Sequence, residues 1–187
     1  MTTLGYALLS ILARGPLSGY DLARHLHMPV GYFWQAKHSH IYPELARLAA
    51  AGLVRHEVVL QERRPSKKIY TLTDTGRETL RQWVSTPVEI PAPHDELLLK
   101  VFSLWLIERH QALTLIREQE QRFVEHLAQF ETIQATLEAG FGAALHDPDS
   151  PAFAGYATLH CGLLRVRSNI AWCRWLAGQL EQPAADT

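Results

Sequence analysis

Basic and hydrogen-bonding side chains are concentrated in one short segment, FWQAKHSHIYPELARL, which starts at Phe33. Its chemically active members stand almost side by side: Lys37, His38, Ser39, His40 and Tyr42. Ammonium, imidazole and hydroxyl groups at this spacing suit three kinds of site. These are a metal centre, an enzyme pocket that transfers protons, and a surface that binds phosphates and base edges. The surrounding elements decide between them.

Metal binding and catalysis find little support in the rest of the chain. His38 and His40 lack the additional Cys or carboxylate ligands of a recognisable metal motif. No G-x-S-x-G nucleophile elbow, Walker loop or G-x-G-x-x-G fingerprint occurs. We therefore expect a protein that is not an enzyme and that carries neither a cofactor nor a metal.

Charge is distributed unevenly along the 187 residues. Residues 1–86 hold 11 Lys and Arg against 6 Asp and Glu, a net charge of +5, whereas residues 87–187 hold 7 against 13, a net charge of −6. Between the halves lies TPVEIPAPHD, whose three prolines end the preceding helix. We predict a first domain over 1–86 that meets a polyanion, a linker over 87–95 and a second domain over 96–187.

Three helices are predicted at the start of the first domain. The first covers about Leu4 to Ala13. The second begins at SGYD, where Ser18 and Asp21 have the spacing of a capping box, and ends near His27. The third is expected to begin with Ser39 as its cap and to have Pro43 in about its first turn. Its buried stripe is predicted to be Ile41, Leu45, Leu48 and Ala49.

A hairpin and a fourth helix complete the first domain. In VRHEVVLQ the hydrophobic period changes from 3.6 to 2, which places Val54, Val58 and Leu60 on one side of a strand. KIYTL is the second strand, and the basic sequence QERRPSK lies between them. TDTGRETLRQWV is the fourth helix, with Thr73 or Asp74 as its cap.

The second domain reads as helical throughout. HDELLLKVFSLWLIE predicts one helix, a longer one follows from about His110, and a loop from Gly140 to Gly155 precedes the last helix at Tyr156–Leu180. Two of these helices carry longer rows of apolar residues than one small helical domain can bury by itself. We therefore expect a second copy of the chain to cover the rest, which predicts a homodimer. The predicted dimer seam is Ile116, Phe123, Phe130, Leu137, Leu163 and Ile170.

These elements together predict a mainly α protein with an N-terminal winged helix-turn-helix domain, a small β-hairpin wing and a C-terminal antiparallel helical dimerisation domain. In such domains the third helix presents its first residues to the major groove of DNA. Ordinary solvated polar groups, an unremarkably charged hairpin and a packing role for Tyr20 are the alternatives. The predicted DNA-binding residues are Tyr20, Lys37, His38, Ser39, His40, Tyr42, Arg63, Arg64, Lys67 and Lys68.

The first domain resembles the PadR-type transcriptional regulators. The resemblance rests on GYALLSILARGPLSGYDLARHL, FWQAKHSHIYPELARLAAAGLV and RRPSKKIYTLTDTGRETLRQWV, and more loosely on DELLLKVF and AWCRWL in the second domain. It implies a dimeric repressor that binds an inverted-repeat operator and is released by a small aromatic or phenolic effector. An aromatic effector pocket is conceivable at Trp105, Tyr156, His160, Trp172 and Trp175, although ordinary core packing would explain the same residues.

The two cysteines, Cys161 and Cys173, fall in the last predicted helix. Twelve residues at about 1.5 Å each separate them by about 18 Å, beyond disulfide reach, so we expect reduced thiols in a cytoplasmic protein. The sequence has no run of about 18 apolar residues, so we expect no membrane-spanning helix. A metal- or thiol-responsive DNA-binding sensor stays open as an alternative, as does an adaptor that reuses the winged fold.

Overall fold

A computed structural model describes residues 1–27, 38–61, 64–88 and 95–182, and the chain divides between Ile90 and Pro91 into two compact units. The elements of the first unit are α1 (Thr3–Leu12), β1 (Leu17–Ser18), α2 (Gly19–His27), α3 (His38–Ala50), β2 (Val54–Gln61), β3 (Arg64–Leu72) and α4 (Asp74–Val84). Those of the second are α5 (Glu96–Phe102), a 3-10 turn (Leu104–Leu106), α6 (Arg109–Phe141), a second 3-10 turn (Gly142–His146) and α7 (Pro151–Glu181).

The helices of the first unit begin where the sequence supplies caps. The Ser18 hydroxyl accepts a hydrogen bond from the Asp21 amide at 3.1 Å and donates one to the Asp21 carboxylate at 2.6 Å, which confirms the predicted cap of α2. Thr73 caps α4 by accepting from the Gly76 amide at 3.0 Å. The prediction for α3 is wrong in one detail. The helix already includes His38, so Ser39 is not its cap and Pro43 lies in the second turn.

One apolar core holds the first unit together. It includes Leu8, Leu9 and Leu12 of α1, Leu22 and Leu26 of α2, and the predicted stripe of α3, in which Ile41, Leu45 and Leu48 are buried and Ala49 partly so. Val54 and Tyr70 extend this core to the base of the hairpin. Burial of one face of each helix leaves the opposite face of α3 free for the surface described below.

The sheet contains a strand that the sequence did not predict. The two residues of β1 pair antiparallel with β3, Leu17 with Tyr70 and Ser18 with Ile69, so the strand order is β1-β3-β2. β2 contains the predicted Val54, Val58 and Leu60, but the core covers only its start: Val54 is 3% exposed, whereas Val58 is 57% and Leu60 is 86% exposed. The hairpin leaves the core after the Tyr70 pair and projects as a wing.

A clamp of hydrogen bonds closes the base of this wing. Thr73 donates from its hydroxyl to the Gly52 carbonyl at 2.7 Å and to the Leu53 carbonyl at 3.0 Å, and its amide also donates to Leu53. Gly76 lies so close that a Cβ there would be 2.0 Å from the Leu53 carbonyl oxygen. Gly52 has a φ of +70°, which favours glycine after a helix. The pattern GLV followed by LTDTG therefore joins the end of α3 to the start of α4.

The second unit is built on α6 and α7, which pack against each other. Its first predicted helix is wrong in extent, because α5 ends at Phe102 and a 3-10 turn follows. LLLKVFSLWLI is apolar at every position except Lys100 and Ser103, so no helical period marks where this helix ends. α6 and α7 both begin earlier or extend further than predicted, and a 3-10 turn occupies part of the predicted loop. Across the described residues, no helix is long and apolar enough to cross a membrane.

The six residues of the predicted dimer seam differ in burial within this single chain. Ile116, Phe130, Leu163 and Ile170 are buried, whereas Phe123 and Leu137 are half-buried. A Cβ on Gly162 would be 3.0 Å from the Phe130 ring, so that ring lies directly over α7. These side chains therefore contribute to the fold of one chain, and their predicted role between two chains stays a prediction.

An ion-pair network centred on one buried carboxylate also joins α6 to α7. Glu120 is 9% exposed and accepts hydrogen bonds from Arg174 at 2.7 Å and from Arg117 at 3.3 Å. Arg117 also donates to Glu181 at 2.7 Å. The Arg174 hydrogen bond holds the pKa of the Glu120 carboxyl below its ordinary value, against the opposing effect of burial.

Candidate nucleic-acid interface

The exposed face of α3 combines a flat centre with polar flanks. At 100° per residue, Ser39, Pro43 and Ala46 fall along the middle of this face. His40 lies on one flank and Tyr42 on the other, and all five side chains are exposed. Small side chains along the centre let a helix approach a groove closely, while an imidazole and a phenol at the flanks supply hydrogen bonds.

A buried carboxylate holds α3 against the start of α1. Glu44 is 5% exposed, and it accepts a hydrogen bond from the Thr2 hydroxyl at 2.5 Å and from Arg47 at 2.9 Å. Thr2 is also the cap of α1, because its hydroxyl oxygen accepts from the Gly5 amide at 3.0 Å. A Cβ at Gly5 would be 2.6 Å from the Glu44 carboxylate. The two helices therefore approach each other here without room for a side chain.

Tyr42 is fixed from below by α2. A Cβ on Gly19 would be 2.7 Å from Cε1 of the Tyr42 ring, so the ring lies against the first residue of α2. Tyr20, the residue after Gly19, is exposed. Burial raises the pKa of the neighbouring Tyr70 hydroxyl, and the proximity of Tyr42 raises it further. The structure thus places the ring of Tyr42 against Gly19, the residue that precedes Tyr20 in the chain.

The wing carries the predicted cations Lys67 and Lys68, which are both exposed on β3. In the ladder they stand opposite Val59 and Val58 respectively. Because successive residues of a strand alternate in direction, the two ammonium groups point to opposite sides of the ribbon. The wing can therefore meet phosphates on either side.

The structure describes no side chain for four of the predicted DNA-binding residues. Lys37 and Arg63 lie outside the described residues. His38 begins α3 and Arg64 begins β3, and only their backbone positions are described. Their roles stay predictions.

Arg47 is a candidate that the sequence analysis missed. It lies on the exposed face of α3 two turns after His40, and its side chain is largely exposed although it pairs with Glu44. The seven-residue spacing from His40 was the available signal, since residues seven apart lie on one face of a helix.

The predicted effector residues on α7 fall into two groups, one near each end of the helix, and Trp105 lies in the 3-10 turn after α5. Tyr156 stacks on His160 with ring centroids 6.4 Å apart and meets His146 edge-on at 6.1 Å. Trp172 packs instead against the buried cluster of Ile116, Cys173 and Ala177, while Trp105 and Trp175 are exposed. Sixteen residues of helix between Tyr156 and Trp172 correspond to about 24 Å, so one small ligand cannot contact both groups within a chain.

The two thiols lie in different environments. Cys161 is exposed and Cys173 is buried, and burial raises the pKa of the Cys173 thiol, with a further contribution from Glu120. Among the described residues, no group of three or more His, Cys, Asp or Glu side chains is arranged to hold a metal ion.

Three helices, a three-stranded sheet, a projecting hairpin and a following helix define the first unit as a winged helix-turn-helix domain. Comparison with known families agrees. Residues 8–82 match the transcriptional regulator PadR-like family, and residues 93–181 match the family described as virulence activator alpha C-term.

Relatives with known structures match over nearly the whole chain. The chain is 33% identical over 186 residues to the negative transcriptional regulator PadR of Bacillus subtilis, covering 97% of this chain and 100% of that one. The crystal structure of B. subtilis PadR in complex with operator DNA matches with a TM-score of 0.85 at 31% identity, over 96% of this chain and 100% of that chain. The same protein in complex with p-coumaric acid gives 0.80 at 30% identity, over 97% and 100%. The chain therefore belongs to the PadR-like family of transcriptional regulators, which confirms the resemblance.

Proposed function

We propose that this protein is a homodimeric, sequence-specific DNA-binding repressor that a small aromatic or phenolic acid releases from its operator. The observation that carries the proposal is the exposed face of α3, with small residues along its centre and His40 and Tyr42 at its flanks. The full-length similarity to a PadR protein crystallised with operator DNA supports it.

In the proposed complex α3 lies in the major groove of DNA. Ser39 and His40 reach base edges, since a hydroxyl and an imidazole each both donate and accept hydrogen bonds. Tyr20 on α2 and Tyr42 on α3 donate to phosphates, and Lys67 and Lys68 neutralise phosphates from the wing. Exchanging base-contacting residues then changes which sequence binds best, whereas removing a wing cation weakens all sequences similarly.

A second chain is proposed to cover an apolar surface on α5 and the following turn, which we call the α5 patch: Leu98, Leu99, Phe102, Trp105 and Leu106. Phe102 and Trp105 are 81% and 80% exposed in the single chain. A contiguous exposed surface of this kind is typical of an oligomer interface. Two winged domains on one dimer would bind an inverted repeat whose half-sites are one helical turn or a multiple apart.

Repression and effector release rest on the B. subtilis relative, which is described as a negative regulator and has been crystallised with p-coumaric acid. Such a ligand needs an apolar slot for its ring and a polar partner for its carboxylate. The Tyr156, His160 and His146 group supplies both kinds of side chain. We propose that the effector binds there and not at Trp172, which is packed in the α6–α7 core.

The test begins with selection of bound fragments from sheared genomic DNA by the purified full chain, at near-physiological salt. A single enriched inverted repeat is expected. Affinity for that repeat is then measured over a salt series. Lys67→Ala removes one phosphate contact from each wing of the dimer, so the slope of log affinity against log salt should become less negative by about 1.8, about 0.9 for each contact. Arg165→Ala, a matched loss of an exposed cation from the second unit, should leave the slope unchanged. Uniform recovery of fragments would contradict sequence-specific binding.

Dimerisation and release are tested separately. Phe102→Ser is expected to shift the sedimenting mass from dimer toward monomer, whereas Phe141→Ser, an exposed aromatic outside the α5 patch, should not. Adding p-coumaric acid should dissociate the wild-type complex with operator DNA. Tyr156→Phe should need more acid for the same release, and an unchanged requirement would place the effector elsewhere.

A further inference from the structure

An exposed cation on α3 is held by a partner that belongs to the interior of the first unit. Arg47 donates from Nη1 to the Glu44 carboxylate at 2.9 Å, and its side chain is 64% exposed, whereas that of Glu44 is only 6% exposed. The pair of Glu78 and Arg81 on α4 has the same spacing, but both of its side chains are largely exposed. Exposed pairs hold their members loosely because water competes for each group. The Glu44 carboxylate is shielded from that competition and so fixes one edge of the Arg47 guanidinium.

The start of α1 prevents the Glu44 carboxylate from turning. One of its oxygens, Oε1, accepts from the Thr2 hydroxyl at 2.5 Å, and the other, Oε2, accepts from Arg47. The Thr2 hydroxyl is itself held as the cap of α1 by the Gly5 amide. A Cβ on Gly5 would be 2.6 Å from Oε1, so the carboxylate has no free space on that side. The position of the Arg47 guanidinium is therefore linked, through Glu44, to a helix that lies behind α3.

The chemistry of this pair suits a base edge better than a phosphate. At a separation of 2.9 Å the Glu44 carboxylate offsets much of the Arg47 charge, which weakens the attraction of Arg47 for a phosphate. The directional donors are less affected. A guanidinium carries five N–H groups in one rigid plane, and the bond to Glu44 uses one nitrogen. Guanine presents O6 and N7 in the major groove, and these two acceptors bind a guanidinium through a pair of hydrogen bonds.

The position of Arg47 along α3 sets which base it can reach. Arg47 follows His40 by seven residues, and both lie on the exposed side of the helix. Seven residues correspond to about 10.5 Å along a helix axis. Base pairs are about 3.4 Å apart, so this distance spans about three base pairs. Pro43 and Ala46, which lie between the two residues on the same face, are short and leave the path to the groove open.

We infer that Arg47 reads a guanine in each half-site, about three base pairs from the base that His40 contacts, and that Glu44 is the positioning residue that orients its guanidinium. Glu44 and Thr2 thereby influence which sequence is bound, although neither contacts DNA. This inference deepens the proposed function as a DNA-binding regulator and rests on it.

The test measures base preference in the full chain, with each position of the selected operator varied in turn. Arg47→Ala should lower the preference for guanine at one position of the half-site by at least about fivefold, the lower end for a contact through two hydrogen bonds. It should change the salt slope much less than Lys67→Ala does. Arg47→Lys keeps the charge but loses the planar pair of donors, so it should lose most of the same preference.

Glu44→Gln tests the positioning role, because it keeps the shape of the side chain and an oxygen for Thr2 but removes the charged acceptor of Arg47. It should lower the guanine preference several-fold at the same position. In an Arg47→Ala background it should change the preference no further, a result that a purely structural role would not produce. Glu78→Gln and Arg81→Ala, in the matched exposed pair, should leave the preference unchanged at every position. Thermal unfolding checks that each variant is folded, and the variants of the exposed Arg47 test the base contact independently of Glu44.

Three results would overturn the inference. An equal loss of affinity on every sequence in Arg47→Ala, with a salt-slope change as large as that of Lys67→Ala, would assign Arg47 to a phosphate. Full guanine preference in Arg47→Lys would show that charge suffices and that the orientation set by Glu44 is irrelevant. An equal effect of Glu44→Gln with and without Arg47 would assign Glu44 to folding alone. If the wild type selects no DNA sequence, it is the proposed function that fails.

Discussion

The ring of Tyr42 lies against the α-carbon of Gly19, at a point where a Cβ would be only 2.7 Å from the ring. Gly19 is the first residue of α2 and Tyr42 lies on the exposed face of α3. The two helices of the helix-turn-helix are thus in contact through a glycine and an aromatic ring. This contact determines where the Tyr42 hydroxyl points.

Gly19→Ala should therefore affect DNA binding more than folding. Alanine is favoured over glycine in a helix by about 0.5–1 kcal/mol, which offsets part of the clash with the ring. Because Tyr42 is half-exposed, the ring can turn away, and we expect operator affinity to fall about tenfold, the scale of one lost polar contact. Thermal unfolding and DNA-binding titrations measure the two effects.

Gly178→Ala is the matched control for that substitution. A Cβ at Gly178 meets no atom within 4 Å, so alanine there should stabilise α7 by about 0.5–1 kcal/mol and leave DNA affinity unchanged. Equal affinity of Gly19→Ala and the wild type would show that the orientation of Tyr42 does not matter for binding.

Glu44→Ala should destabilise the first unit by about 1–3 kcal/mol, because it leaves the part-buried Thr2 hydroxyl without its acceptor. The comparison is Glu78→Ala, which removes a similarly spaced pair with Arg81 on the exposed surface of α4. That pair is expected to contribute less than about 0.5 kcal/mol. Urea unfolding at a constant m-value measures both. Similar small losses would mean that water replaces Glu44 at the start of α1.

The two cysteines should differ strongly in reactivity with a thiol reagent such as dithionitrobenzoate. The thiolate is the reactive species, and Cys173 is buried with a raised pKa, whereas Cys161 is exposed. One thiol per chain should react quickly and the other only after unfolding. Cys161→Ser should remove the fast phase, and Cys173→Ser should retain it. Two fast thiols in the native protein would contradict the packing of α7 and revive a thiol-responsive role.

Sequence periodicity predicted the first unit well because its helices each bury one continuous stripe. Ile41, Leu45 and Leu48 are an example, and the caps at Ser18 and Thr73 follow from local hydrogen bonding. The strand β1 escaped prediction because two residues show no period. Alternation correctly assigned Val58 and Leu60 to one strand, but it cannot tell whether anything covers that side.

The location of the candidate site was predictable from the sequence, but the residues that hold it in place were not. Residue type and position near a helix start were enough to single out Ser39, His40 and Tyr42. Glu44 and Gly19 act through contacts with residues distant in sequence, so no local pattern reveals them. Arg47 was missed because the prediction considered only the first turn of α3, although the exposed face of the helix continues for two more turns.

Glu120 should make the stability of the second unit depend on pH. Its pKa is lowered in the folded protein, first by the Arg174 hydrogen bond at 2.7 Å, and the ordinary value of an unfolded Glu is about 4.3. A carboxyl with a lowered folded pKa binds its proton more readily when the chain unfolds. Its stabilising contribution is therefore complete above about pH 5 and is lost as the pH falls below about 4 toward the folded pKa.

Glu120→Gln tests this linkage. At pH 7 the variant should lose about 1–3 kcal/mol, because a neutral amide replaces the buried carboxylate that accepts hydrogen bonds from Arg174 and Arg117. Between about pH 5 and pH 3 the wild type should lose stability more steeply than the variant, so the two curves converge. Glu131→Gln, which disrupts a half-exposed pair with Arg167, should cost less than about 1 kcal/mol at either pH. If the wild type and Glu120→Gln fall in parallel, the hydrogen bonds from Arg174 and Arg117 do not stabilise the charged Glu120 carboxylate in the folded protein.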